Sequence, residues 1–114
     1  MRARGFILML AITSGCAAGL PHPSAADASQ ASARWPGTTV AELGRGRELY
    51  VRTCAGCHAL KSPDAVPAGQ WEREVTEMRG RHGVSLSDEE ADFIIRYLYS
   101  VGSRMRSAER TAHR

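Results

Sequence analysis

The sequence predicts one small all-α domain, and three observations predict it. Apolar residues recur at helical spacing in three stretches between Val40 and Gly102, with capping or breaking residues at their ends. No run alternates apolar and polar residues beside hairpin turn chemistry, so no strand is expected. The length of 114 residues leaves room for one core and not two. Only 6% of the residues are aromatic, against 43% hydrophobic, so the core built from the chain's own rings is thin and something else is expected to fill it.

Taken in order, Arg2 and Arg4 precede an uncharged run from Gly5 to Leu20, most apolar at Phe6 to Ile12, which has the form of an export signal. The run is shorter than the ~20 residues of a membrane-spanning helix, so removal is expected rather than anchoring. Two cleavage sites compete. Thr13-Ser14-Gly15-Cys16 resembles a bacterial lipoprotein box, with Thr13 where an aliphatic residue usually stands; it gives a leader of residues 1–15 and a lipidated Cys16 as a membrane tether. Ser24-Ala25-Ala26 is an ordinary small-residue site and gives a leader of residues 1–26. Either site makes the protein periplasmic, or exported and lipid-anchored, in a compartment that permits thiol chemistry. From Ala17 to Ala33, 13 of 17 residues are Ala, Ser, Pro or Gly, so a flexible tether is expected, with a linker over residues 27–37 ahead of a domain over residues 38–102.

The first helix is expected from about Val40 to Thr53. Gly44 and Gly46 each cost it roughly 1 kcal/mol relative to Ala, which points to close contact on that helix. The second is expected near Ala68 to Arg79, where Trp71, Val75 and Met78 share a face and Gly80 supplies the stop. Ser87 with Glu90 forms a capping box for the third, and Asp88, Glu89 and Glu90 sit at the positive end of its dipole. Its stripe is Ala91, Ile94, Ile95, Leu98 and Val101, with Phe93 and Tyr97 on a neighbouring line and Gly102 closing it.

Between the first two helices stands Cys54-Ala55-Gly56-Cys57-His58. This C-x-x-C-H run is the pattern of covalent c-type haem attachment. Two thiols three positions apart reach the two vinyl groups of one haem c as thioethers, and the next imidazole turns under the ring to bind iron. A redox C-x-x-C would want thioredoxin-like alternation of strand and helix, which is missing. A structural zinc site needs ligands beyond Cys54 and Cys57, and with Cys16 in the leader only histidines remain. Zinc and a plain disulfide are the competing readings. Buried macrocycle would add to Leu49, Tyr50, Trp71, Val75, Ile94 and Leu98, so the apo form is expected to fold poorly. Met78, His82 and Met105 are the candidates for the sixth iron ligand. Pro63 and Pro67 are both placed to offer a backbone carbonyl to the other ring nitrogen of His58.

The stretch from Gly46 to Val101 resembles a small monohaem class I cytochrome c, through Gly46, Leu49 and Tyr50 before the motif and Ile94-Ile95-Arg96-Tyr97-Leu98 in the last helix. The resemblance implies three main helices around the haem, the first and last crossing closely where a glycine admits an aromatic; Gly46 and Tyr97 match those places. Trp71, Val75, Met78, Gly83-Val84 and the capped last helix are similar to the short cytochrome subunits that accept electrons from periplasmic dehydrogenases such as sulfite dehydrogenase. That similarity implies Met78 as the distal ligand, only 20 positions after His58, with His82 as the alternative. A haem with both axial positions filled suits one-electron carriage, so the implied role is a carrier between a dehydrogenase or other donor and a respiratory acceptor, not an enzyme. Two other readings stay open: a peroxidase-type enzyme with an open iron, and a gas-binding sensor from which Met78 departs.

Charge narrows the partners. Residues 34–102 hold nine basic and ten acidic side chains, and residues 103–114 hold four Arg and one Glu, so the net +3 is a basic tail. Without a basic face, nucleic acid is not an expected partner and redox proteins are. The tail is expected to be solvated or to dock on an acidic surface.

Overall fold

The computed structural model describes residues 19–54 and 59–114. Four α-helices carry the fold: α1 (Ala25–Arg34), α2 (Val40–Cys54), α3 (Trp71–Gly80), entered through a 3₁₀ turn at Ala68–Gln70, and α4 (Asp88–Ala112). No strand occurs among the described residues, so the all-α class expected from the sequence is the one observed. Among them, too, no helix is long and apolar enough to cross a membrane. The expected leader falls mostly on residues 1–18, and the box at Cys16 lies outside the described residues.

The spine is α4, which touches each of the other helices and α2 most extensively. Thr39 starts α2 with a capping box, its hydroxyl accepting from the Glu42 N–H at 3.1 Å while the Glu42 carboxylate accepts from the Thr39 N–H at 2.8 Å. Where α2 crosses α4, Gly46 lies against the Phe93 carbonyl and the Tyr97 Cβ, leaving no room for a side chain. The close approach expected at Gly46 and Tyr97 is therefore present. Leu49, Tyr50, Ile94, Tyr97, Leu98 and Val101 fill the space around that crossing.

Ser87 opens α4 as expected, its hydroxyl accepting from the Glu90 N–H at 3.1 Å and its own N–H bound by the Glu90 carboxylate at 3.0 Å. The helix does not end at Gly102. It continues to Ala112, and Gly102 lies within it, packed against the Pro63 carbonyl at a point where a Cβ would collide. The glycine there serves close approach, which in sequence looks like a stop. The tail expected to be solvated or to dock elsewhere is thus helical, and its first turn is fastened: Met105 packs on the core, and Arg106 donates to the Asp64 carbonyl at 2.8 Å. Gly80 is the last helical residue of α3, as expected, with Arg81 as the cap. Gly83 is the residue in the left-handed region, at φ +63°, and the Val84 N–H returns to the Met78 carbonyl at 3.1 Å.

The segment expected to be a flexible tether contains α1. Five of its ten residues are alanine, the strongest helix former. Ser24 caps it reciprocally with Asp27. A ten-residue helix is marginal alone in water. Docking holds it: Ala28 and Ala31 pack with Leu43 and Trp35, and the wholly buried Asp27 carboxylate accepts from Arg104 Nε of α4 at 2.8 Å. Beyond α1 the chain turns at Trp35, whose ring meets Tyr99 edge-on at 5.3 Å with the Arg34 guanidinium 4.8 Å above it.

Candidate functional site

Helices α2, α3 and α4 enclose a cavity of about 410 Å³, within the ~300–1,000 Å³ of sites that take a small molecule. Trp71 and Val75 of α3 and Ile94 of α4 give it apolar walls, joined by Val84 and Leu86 of the connection that follows α3. The stripe Trp71, Val75 and Met78 faces it as the spacing predicts, because i, i+4 and i+7 fall on one side of a helix. Polar side chains come from Lys61, Glu74, Glu77 and His82.

The end of α2 delivers two residues to this cavity, Tyr50 and Cys54. Cys54 is buried at the last helical position, 8% exposed. Burial pushes the Tyr50 phenol well above its ordinary value, and neighbouring Cys54 adds to the shift, so Tyr50 is a neutral donor; its O–H donates to the Lys61 carbonyl at 2.7 Å. Trp71 does the same for the next turn of chain, donating from Nε1 to the Pro63 carbonyl at 2.8 Å. Its ring packs edge-on against Tyr50 at 6.2 Å. With Arg106 on the Asp64 carbonyl, the chain that follows the C-x-x-C-H run is held at three successive points by α2, α3 and α4. The Pro67 carbonyl accepts from the Gln70 N–H at 2.8 Å, so both prolines expected as candidate partners of His58 already carry one hydrogen bond.

Of the predicted site residues, Cys54, Met78 and His82 all reach the cavity. Met78 is half-buried and His82 exposed. Met105 does not line it; that side chain packs on the core elsewhere. Cys57 and His58 lie outside the described residues. Sequence reasoning names Val84 only within the resemblance, not as a lining residue, and misses Leu86, Lys61 and Glu74: Val84 and Leu86 sit in a connection without periodicity, and the ion pair of Lys61 with Glu74 at 3.2 Å joins a loop to a helix. Among the described residues no three His, Cys, Asp or Glu side chains gather as a metal site. The donors at the cavity are the Cys54 thiol, the Met78 thioether, the His82 imidazole, the Tyr50 hydroxyl and the carboxylates of Glu74 and Glu77, and the two sulfurs beside apolar walls are compatible with an apolar macrocycle held by sulfur. No protein family, no curated protein and no solved structure matches the chain.

Proposed function

We propose that this protein is an exported monohaem c-type cytochrome that carries single electrons between redox proteins. One observation carries the reading: Cys54, which opens the C-x-x-C-H run, stands on the wall of an apolar cavity that also receives Met78. Cys54 and Cys57 would hold the haem covalently, with His58 as proximal ligand and Met78 as distal ligand. When bound, the haem supplies reversible one-electron chemistry at its iron. The Met78 thioether is a soft donor that favours the ferrous state and a higher potential than two imidazoles would give. Met78 is preferred to His82 because it is half-buried, whereas His82 is exposed. Trp71, Val75, Leu86 and Ile94 exclude water, and the Tyr50 and Trp71 hydrogen bonds keep the loop beyond the motif in one position. A dehydrogenase or other donor and a respiratory acceptor are the partners proposed for this role.

The test is the full chain matured with a haem-attachment system. Intact mass with one added haem, and a low-spin visible spectrum carrying the weak band of methionine-ligated ferric haem, are expected. Met78→Ala abolishes that band and lowers the potential, and His82→Ala leaves both. Colourless protein without added mass overturns the reading.

A further inference from the structure

Several cations of the body are matched where they stand. Arg34, Lys61, Arg79, Arg96 and Arg104 each pair with a carboxylate at 2.6–3.2 Å. The end of α4 differs. Among the described residues, Arg106, Arg110 and Arg114 form no ion pair, and Glu109 is the only acid from Ser103 to Arg114. Every residue from Ser107 to Arg114 is exposed, although the helix runs on to Ala112. Arg106 and Arg110, four positions apart, share a face of that helix, and Arg114 follows directly after the cap at His113. The negative end of the helix dipole accommodates cations in this last turn without consuming their charge, so the charge stays available to a partner. Arg110 meets only its own helix, donating to the Ser107 hydroxyl at 3.2 Å. Arg106 roots the arm beside the attachment run, since the Asp64 carbonyl that accepts from it belongs to the loop following C-x-x-C-H.

From Ser107 to Arg114 the arm carries no apolar side chain larger than alanine. It has nothing to sink into a bilayer, as an interfacial helix does with leucine or an aromatic residue, and no ring on which a nucleic-acid base could stack. What remains is an exposed row of guanidinium groups, which an acidic protein surface complements. We infer that the end of α4, through Arg106, Arg110 and Arg114, is a docking surface for an acidic protein. That this protein is a redox partner rests on the proposed function, under which a partner seated on the arm stands next to the loop that follows the haem-attachment run.

The experiment titrates the full chain, expressed with a haem-attachment system, with short poly-L-glutamate at low salt, followed by calorimetry and backbone amide shifts. Binding that perturbs the amides of residues 104–114 and is screened out at about 1 M salt is expected. In Arg110→Gln/Arg114→Gln it should be roughly three- to tenfold weaker. Arg110→Lys/Arg114→Lys, which keeps the charge, should bind as the parent does. Arg45→Gln/Arg73→Gln removes as much charge from exposed positions of α2 and α3 and should also leave binding unchanged. No binding, shifts confined to other residues, an equal loss in the α2 and α3 variant, or tighter binding to phosphatidylglycerol vesicles than to poly-L-glutamate overturns the inference. A chain without haem mass that still binds through residues 104–114 overturns the proposed function and leaves the docking surface standing.

Discussion

Asp27 and Arg104, 77 positions apart, are joined at 2.8 Å, with the carboxylate wholly buried and the guanidinium partly in solvent. The pair ties α1 to the last turns of α4. Burial opposes the charge on Asp27, but the hydrogen bonds from Arg104 and Ser24 outweigh it and hold the carboxyl below its ordinary range; the same bond raises Arg104, which stays charged.

That depression sets an acid limb. A carboxyl with a lower value folded than unfolded stabilises the fold above about pH 4 and loses that contribution as pH falls through the folded value. Asp27→Asn is expected to cost about 1–2 kcal/mol at pH 7, the low end for a buried bond because the Arg104 side chain is 39% exposed, and to flatten the acid limb. Urea denaturation followed by circular dichroism at pH 7 and pH 3 measures both.

The tyrosine beneath Pro21 sets an alkaline limb. Burial pushes the Tyr97 phenol up to about 12, against the pull of Arg47 and Arg104. Its folded value exceeds the unfolded value of about 10, so its contribution is complete below pH 10 and is lost as pH rises through about 12. Tyr97→Phe should remove this limb and cost about 1 kcal/mol at neutral pH through the lost bond to the Pro21 carbonyl. Phenolate absorbance titrated against far-ultraviolet dichroism reads it.

Two glycines of α2 should respond in opposite directions. At Gly44 a methyl group would meet nothing within 4 Å, so Gly44→Ala is expected to stabilise by about 0.5–1 kcal/mol. Gly46→Ala drives a Cβ into the Phe93 carbonyl and should destabilise by about 2–3 kcal/mol. Thermal melts of the two variants, compared with the parent, give the sign of each.

Trp71→Phe keeps the apolar wall and deletes the donor to the buried Pro63 carbonyl, for an expected loss of about 1–3 kcal/mol. Denaturant midpoints give the cost, and faster hydrogen exchange at residues 61–65 than in the parent would show that the loop is what has loosened.

How much is legible in the sequence follows from how local each signal is. The cap of α4 is readable because Ser87 and Glu90 satisfy each other within one turn, and the face of α3 because Trp71, Val75 and Met78 need only one helix to align. Gly102 misleads, since a glycine that ends a helix, as Gly80 does, and one that admits a neighbouring backbone are the same letter, and Pro63 lies 39 positions from Gly102. The alanine-rich stretch before Trp35 has the composition of a tether; what makes it a helix is Leu43 and Arg104, far along the chain. At the candidate site, motif and spacing are enough to single out Cys54, Met78 and His82, whereas Val84 and Leu86 reach the cavity from a connection that no periodicity marks.

The carbonyl of Pro63 meets Gly102 on one side and the Trp71 indole on the other. Gly102, which does not border the cavity, is therefore one peptide group away from a ring that walls it. Added bulk on α4 at Gly102 would press on the peptide group that seats the Trp71 ring against the cavity.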